Sequence, residues 1–274
     1  MPISPGVYND LSNNDYHADP ALGHSGMVQL LRSGLHFDTW RRRAGKPTEA
    51  MEFGTAFHLA ILEPDLFNQH VTVKPDRITR RYGKEWDAFV SENAGKIILV
   101  REHAYYGWNL LMGMMESLER PQHTTARQLL RAQSRIIERS VFWDHHGVML
   151  KCRPDVDIPE IETLIDLKSC ADASADGFGK AAANLGYDIQ AVLYLSGVNQ
   201  AAPDAFYRDF LFVCVEKEPP HAIAVRTTPP EMLEAGKHKI RTAIDRYREY
   251  EAAGQWAGYP DEPEPLIWPK WAAI

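Results

Sequence analysis

The chain has 274 residues, of which 45% are hydrophobic and 24% are charged, a composition typical of a globular protein with a buried core. Its formal charge of -7 argues against a protein that coats nucleic acid through overall charge, although local DNA contacts stay compatible with it. The three cysteines lack the paired spacing of zinc sites, and neither a signal-peptide layout nor a membrane-spanning apolar run is present, so we expect a cytoplasmic protein.

The first half of the chain has mainly helical patterns. We predict a short helix through GMVQLLRS with Ser25 as its cap, and a longer helix that begins near Thr48 and ends near Pro64. Further predictions, in chain order, are a strand at HVTV, a helix around GKEWDAFVSENA, a strand at KIILV and a helix from about Arg101 through Leu118.

From Ser134 onward the pattern favours strands. Three β-branched, alternating runs, SRIIERSVFW, VMLKCRPDVDI and TLIDLKS, are separated by DHHG and PEIE and predict a three-stranded meander. Helices are then expected at 172–184 and 187–200, strands near 207–216 and 221–227, and a helix after Pro230. This mixed α/β pattern predicts one domain, 1–274, with a mainly helical part at 1–133, a sheet core at 134–228 and a C-terminal helix and tail at 229–274.

Two aspartates and a lysine lie on neighbouring predicted strands. Asp155 ends one strand, and Asp166 and Lys168 lie on the next, where alternation points both to one face while Leu167 points to the other. Paired carboxylates are oxygen ligands of the kind that Mg2+ prefers, and a nearby lysine can stabilise charge that develops on phosphorus. The grouping therefore suits phosphodiester hydrolysis, although by itself a D-x-K pair is equally typical of a solvated strand edge.

Several ordered blocks of the sequence resemble one family. These blocks are GVYNDLSNNDYHADPALGHSGMVQLLRS, FGTAFHLAILEP, CRPDVD, LIDLKS, YDIQAVLYLSG and the closing LIWPKWA. Together they resemble the RecE-type (exonuclease VIII) phage and prophage exonucleases of the PD-(D/E)xK nuclease superfamily. The resemblance implies an α/β fold with a central mixed β-sheet flanked by helices, a PD-(D/E)xK nuclease core with a helical N-terminal elaboration.

The same resemblance implies an activity and its partners. It implies a Mg2+-dependent enzyme, with Mn2+ as a substitute, that degrades one strand of linear double-stranded DNA from its 5′ end and leaves a 3′ overhang. It further implies a RecT-like single-strand annealing recombinase as partner, and a homo-oligomer, a tetramer in the related enzymes.

Carried over residue by residue, the resemblance predicts the active centre. It makes Asp155 and Asp166 metal ligands, with the Leu167 carbonyl as a possible further ligand, and makes Lys168 the catalytic lysine. His58 in the GTAFH helix is expected beside the metal; without the resemblance, a histidine that only bonds in the core would be favoured.

Three more residues enter the predicted site through the resemblance. Glu138 matches an acidic position that precedes the first catalytic strand, although a surface glutamate on a strand is the competing interpretation. Gln190 and Tyr194 lie one helical turn apart and could position DNA or the lysine, whereas Tyr194 could also only pack with its leucine neighbours.

A basic segment, RITRRYGKEW, is predicted as a loop that enters a helix. It contains the candidate DNA-binding residues Arg77, Arg80, Arg81, Tyr82 and Lys84. Guanidinium groups and a helix N-terminus can bind a phosphate backbone or a 5′-phosphate, and an aromatic ring can stack on an end base pair, although such clusters are more often solvated charge. The RRR run at 41–43 is a weaker candidate.

Other functions stay open on the sequence alone. The chain could be an endonuclease of the same superfamily, or a non-catalytic DNA-binding subunit that retains the fold. An end-processing enzyme with an iron–sulfur cluster is disfavoured, because such a cluster needs four cysteine ligands and the chain has three cysteines.

Overall fold

The computed structural model describes residues 2–43, 47–201 and 206–268. Within these residues the helices are α1 (Asn13–Ala18), α2 (His24–Arg32), α3 (Gly34–Arg41), α4 (Glu49–Leu62), α5 (Pro64–His70), α6 (Lys84–Glu92), α7 (Trp108–Leu118), α8 (Thr124–Leu130), α9 (Ala175–Leu185), α10 (Tyr187–Ala201) and α11 (Pro230–Ala253). The strands are β1 (Gly6–Tyr8), β2 (Val71–Val73), β3 (Ile97–Leu99), β4 (Ile136–Ile137), β5 (Ser140–His145), β6 (Val148–Cys152), β7 (Val156–Ile158), β8 (Thr163–Cys170), β9 (Asp209–Glu216) and β10 (Ile223–Thr227).

The central sheet has five strands in the order β10-β9-β8-β7-β4. β8 and β9 run parallel, whereas the other neighbouring pairs run antiparallel, so the sheet is mixed. The mixed α/β fold expected from the sequence is therefore confirmed. Separate small sheets pair β1-β5-β6 and β2-β3.

Helices cover both faces of the central sheet, and β8 shows how the sequence achieves this. Leu164 belongs to a core with α2, α9, α10 and α11, whereas Ile165 and Leu167 belong to a second core with α4, α7 and α8. All three side chains are fully buried, as expected for a strand that is covered on both sides. Asp166 and Lys168 alternate with Leu167 and so face the α10 side.

The predicted three-stranded meander is wrong in its organisation. Its first run divides at Glu138 into β4 and β5, and its second run divides at Pro154 into β6 and β7. Glu138 has a left-handed φ of 52°, which turns the chain, and Pro154 has no N–H group to donate to a strand partner. The hairpin turn expected at DHHG is confirmed, since His146 and Gly147 have positive φ values of 52° and 86° between β5 and β6.

The ends of three predicted helices illustrate how caps decide boundaries. α4 begins near Thr48 as predicted, and the Thr48 side chain caps it by accepting a hydrogen bond from the Met51 amide at 3.3 Å. Ser25 is not a cap, since α2 begins one residue earlier with Gly23 at the N-cap position. α7 begins at Trp108 rather than near Arg101, because His103 accepts the amides of the next residues in a local turn.

The remaining predicted elements along the chain are found close to their expected positions. No helix in the described part of the chain combines the length and apolarity needed to cross a membrane. The last part of the predicted LIWPKWA block, 269–272, lies outside the described residues. The division of the chain at 133 and 228 stays a prediction.

Candidate active site

Adjacent antiparallel strands bring the predicted aspartates together. Val156 on β7 pairs with Ile165 on β8, so Asp155, one residue before β7, lies opposite Asp166. The Asp155 carboxylate accepts a hydrogen bond from the Leu167 amide at 2.6 Å. This bond crosses from one strand to the next and fixes the carboxylate at the edge of β8.

His58, Glu138 and Asp155 form a cluster of possible metal ligands. One ligand atom from each side chain lies within 4.8 Å of the others, and no other such group of three occurs in the described part of the chain. The His58 Nδ1 atom lies 3.6 Å from Asp155 Oδ1 and 4.0 Å from Glu138 Oε1. α4 places His58 here because its neighbours Phe57 and Ala60 are buried against the sheet.

The contact of the other His58 ring nitrogen indicates which nitrogen of the imidazole carries a proton. His58 Nε2 lies 2.8 Å from the Leu167 carbonyl oxygen. Because a carbonyl oxygen can only accept, this contact assigns a proton to Nε2, and in the neutral imidazole Nδ1 then carries the lone pair, toward the two carboxylates. Histidine ligands of metals commonly donate their second N–H to a carbonyl group in this way. The Leu167 carbonyl, predicted as a further ligand, contacts His58 Nε2, and its role as a metal ligand stays a prediction.

The electrostatics of the cluster also fit a cation. The pKa of Glu138 is raised to about 8, mainly by burial and also by the negative charge of Asp155, while Arg153 opposes both effects. Two carboxylates that face each other in this way repel when both are charged, and a divalent cation between them would remove the repulsion. Nitrogen and carboxylate oxygen ligands are compatible with Mg2+ or Mn2+.

Asp166 lies beside this cluster but has different partners. Its Oδ1 atom accepts a hydrogen bond from Gln190 Nε2 at 2.5 Å, and its Oδ2 atom lies 2.5 Å from Lys168 Nζ. Burial raises the pKa of Asp166 to about 6, against the opposing effect of Lys168, and the charge of Asp155 adds to the rise. The charge of Asp155 therefore acts on Asp166, but the two Asp166 oxygens contact Gln190 of α10 and Lys168.

Lys168 is held as a cation between Asp166 and an aromatic ring. Its Nζ atom lies 4.7 Å from the centre of the Tyr187 ring, which in turn stacks on Phe212. Burial lowers the pKa of Lys168, but the Asp166 and Tyr187 groups more than offset this, so the pKa lies above its usual value. An ammonium group that stays charged can stabilise negative charge on a phosphate.

Gln190 and Tyr194 differ in their placement. Gln190 is buried and contacts Asp166 directly, and its Oε1 atom has no hydrogen-bond partner among the described residues. The Tyr194 ring packs edge-on against Phe210 at a centroid distance of 6.1 Å. The role of Tyr194 in the site stays a prediction, and its observed contact is one of packing.

Arg153 is a residue of the site that the sequence reasoning did not identify. It is buried, lies 3.8 Å from Glu138, and donates hydrogen bonds to Ser140 Oγ and to the Leu11 carbonyl. Its guanidinium also lies 4.3 Å from the centre of the Tyr16 ring. The signal was a charged residue directly after β6, within the CRPDVD block.

The predicted DNA-binding residues lie on the surface, in the loop between β2 and α6 and at the first residue of α6. Arg77, Arg80, Arg81, Tyr82 and Lys84 are all exposed. The structure pairs Arg81 with Glu49 at 2.6 Å and places Arg80 against the Tyr82 ring. In the weaker RRR candidate, Arg41 and Arg42 both pair with Asp38 on α3, which is a local helix interaction.

Comparisons with known proteins agree with this geometry. A sequence profile of the family described as "PDDEXK-like domain of unknown function (DUF3799)" matches residues 24–265. The fold is similar to the crystal structure named "Putative exonuclease" from Eubacterium rectale, with a TM-score of 0.61 and 15% identity over 90% of this chain and 88% of that chain. A structure named phage related exonuclease, from Haemophilus somnus 129PT, matches with a TM-score of 0.38 and 10% identity over 90% of this chain and 86% of that chain. No curated protein sequence matches the chain.

Proposed function

Because the chain belongs to the DUF3799 family of PDDEXK-like domains, we propose that it is a Mg2+-dependent exonuclease that degrades linear duplex DNA from its 5′ ends. Membership places the chain in the PD-(D/E)xK nuclease superfamily. The proposal adds the metal, the substrate, the polarity and a role in phage-type recombination through 3′ single-stranded overhangs. Mn2+ is expected to replace Mg2+, because both accept the same oxygen and nitrogen ligands.

One observation carries the proposal. His58, Glu138 and Asp155 present three ligand atoms within 4.8 Å of one another, and the Asp166–Lys168 pair lies on the adjoining strand. If Asp166 and Lys168 were only a surface ion pair, they would not need a cluster of metal ligands beside them. A non-catalytic DNA-binding subunit would need neither these ligands nor a lysine held against a buried aspartate. The arrangement is therefore better suited to hydrolysis than to binding alone.

The residues divide the chemical work between them. A divalent cation, when bound, supplies Lewis acidity to phosphate and water oxygens. The hydrogen bond from His58 Nε2 to the Leu167 carbonyl orients Nδ1 toward the ligand cluster. Lys168 places a positive charge where it can stabilise the phosphate that is being cleaved. Gln190 holds Asp166 in place from α10 and so restricts the position of the lysine.

Support for the finer features comes from resemblance. The motif blocks are similar to RecE-type exonucleases, and the Eubacterium rectale structure with the shared fold is also named as an exonuclease. On this basis we propose a homo-oligomer, tetrameric in the related enzymes, and a RecT-like annealing recombinase that receives the 3′ overhang. The exposed residues Arg77, Arg80, Arg81, Tyr82 and Lys84 would bind the DNA end.

The test is a nuclease assay with three substrates: 5′-labelled linear duplex, closed circular duplex and single strands, each with Mg2+. We expect early release of the 5′ label from linear duplex, and a loss of rate on the order of a hundredfold or more in Asp166→Ala and in Lys168→Ala. The exposed pair Asp176–Lys180, also separated by 2.6 Å, provides the matched controls Asp176→Ala and Lys180→Ala, which should keep full activity.

Each alternative has its own outcome. Cleavage of the closed circle would favour an endonuclease. Binding of linear duplex without any cleavage, in Mg2+ and in Mn2+, would favour a non-catalytic subunit. In a parallel reaction with 3′-labelled linear duplex, release of that label before the 5′ label would reverse the proposed polarity while leaving the nuclease assignment in place.

A further inference from the structure

A groove separate from the candidate active site lies between the β5–β6 hairpin, α10 and α11. Its volume is about 320 Å³. The floor is apolar, because it includes the buried side chains of Trp143, Leu150 and Ile244. A groove of this size can receive one or two large apolar side chains.

The rim of the groove is basic. Lys237, Arg241 and Arg248 line it from α11, and Asp245 is the acidic residue among the lining residues. Lys237 pairs with Glu234 at 2.7 Å and Arg248 lies 3.9 Å from Asp245, but these are exposed ion pairs, which are weak enough to exchange partners. Arg241 is exposed, and Lys237 and Arg248 have side chains that are 57% and 40% exposed. A partner for this groove should therefore combine apolar side chains with several carboxylates.

The chain carries a segment with that chemistry. Residues 261–268 read DEPEPLIW, so three carboxylates precede Leu266, Ile267 and Trp268. These apolar side chains are 81%, 91% and 63% exposed, respectively. Three adjacent exposed apolar residues on an extended segment are unusual for a surface and are typical of a binding motif.

We propose that residues 261–268 of one chain dock in the groove of a second copy of this chain. Leu266 and Trp268, which share one side of an extended segment, would fill the apolar floor, and the acidic residues before them would face the basic rim. Because each copy offers one tail and one groove, the same contact can be repeated between copies and can close a symmetric assembly.

The path of the tail favours a second copy over the same chain. Just before the acidic residues, Trp256 packs on Tyr247 and Tyr250 of α11, and the Ala257 carbonyl accepts a hydrogen bond from the Leu35 amide at 2.9 Å. These contacts use a different face of α11 from the groove-lining positions Arg241 and Arg248, since successive residues advance by about 100° around a helix. In the structure the tail does not occupy the groove of its own chain, since Leu266, Ile267 and Trp268 are exposed.

The test measures the mass of the full chain in solution over a wide range of protein concentration, without DNA or metal. We expect wild-type chains to associate, and Trp268→Ser and Arg241→Glu each to reduce the mass to that of a single chain. Mixing these two variants should restore association, because one intact tail and one intact groove remain in each mixed pair. Ile161→Ser, which changes another exposed apolar residue, is the control and should associate like wild type.

Each contrary result overturns the proposal. A wild-type chain that stays monomeric at all concentrations would overturn the proposal. This includes the case in which the Trp268 fluorescence shows a buried indole, because the tail then docks within its own chain. Association that survives both Trp268→Ser and Arg241→Glu would place the interface elsewhere. Capture of an annealing protein by the tail, with no self-association, would assign the tail to a different partner. None of these readouts depends on nuclease activity.

Discussion

At the scale of single residues, the position of Lys168 depends on more than its ion pair. The Tyr187 ring lies 4.7 Å from Lys168 Nζ and is itself fixed by stacking on Phe212. A cation over an aromatic face is attracted by about 0.5 to 2 kcal/mol, more when the pair is away from water. Tyr187 is therefore a positioning residue for the lysine.

Replacement of this ring should separate aromatic contact from packing. We expect Tyr187→Leu to lower kcat by roughly tenfold, because the cation loses its attraction to the ring, while Tyr187→Phe stays close to wild type. Metal affinity, measured by calorimetry, should be unchanged in both variants, since the ring contacts Lys168. Equal loss of activity in the Phe and Leu variants would show that the hydroxyl group, and not the aromatic ring, is what matters.

The residue scale also shows what the sequence could not reveal. Alternation along TLIDLKS was enough to predict that Asp166 and Lys168 share a face while Leu167 is buried. It could not predict that the Leu167 carbonyl and amide contact His58 and Asp155, because these bonds depend on where α4 and β7 lie. The left-handed φ of Glu138 was equally hidden, since glutamate rarely adopts it.

At the scale of elements, β6 is tied to the N-terminal segment by a buried lysine. Lys151 Nζ donates to the Tyr16 carbonyl at 2.6 Å and to the Asp19 carbonyl at 2.8 Å. The pKa of Lys151 is lowered from 10.5 to about 8, mainly by burial; Asp19 opposes the shift and Arg153 adds to it. The folded protein therefore binds fewer protons than the unfolded chain between these two pH values.

This pKa shift predicts how stability changes with pH. Because unfolding takes up a proton at Lys151, the free energy of unfolding should rise between pH 8 and 10.5, by about 3 kcal/mol from this group. Urea unfolding of wild type and of Lys151→Met across this range measures the effect. The free energy of unfolding of wild type should rise relative to that of the variant as the pH rises. The exposed Lys96→Met is the control, and its difference from wild type should not change with pH.

The element scale explains where the sequence prediction of the fold succeeded and failed. Long helices with clear ends were predictable, because Thr48 and Pro230 carry their own boundary signals. The sequence of the β region predicted continuous strands. The chain instead breaks at Glu138 and Pro154, so that β4 and β7 lie in the central sheet while β5 and β6 lie in a separate one. Period-two alternation predicts a strand but does not identify the sheet to which it belongs.

At the scale of the whole molecule, the ligand cluster links metal binding to stability. A ligand that binds only the folded state stabilises it by RT ln(1 + [L]/Kd), about 2.7 kcal/mol at a hundredfold excess over Kd. Mg2+ should therefore raise the melting temperature. In Asp155→Asn the effect should disappear, while the amide oxygen still accepts from the Leu167 amide, so the metal-free variant should be at least as stable as wild type.

Thermal unfolding with and without Mg2+ and Mn2+ measures this effect. Asp176→Asn, an exposed aspartate outside the cluster, is the matched control and should keep the full response to metal. A metal response that persists in Asp155→Asn would show that the cation binds elsewhere. No response in wild type would contradict the ligand assignment.

The parts of the candidate centre are far apart along the chain: His58 on α4, Glu138 and Asp155 beside β4 and β7, and Gln190 on α10. During synthesis, the N-terminal half leaves the ribosome with the histidine but without any of the acidic partners. The last contact to Asp166 can form only after α10 has emerged. A chain that ends before α10 therefore lacks the Gln190 contact to Asp166, so the centre is complete only once translation has passed that helix.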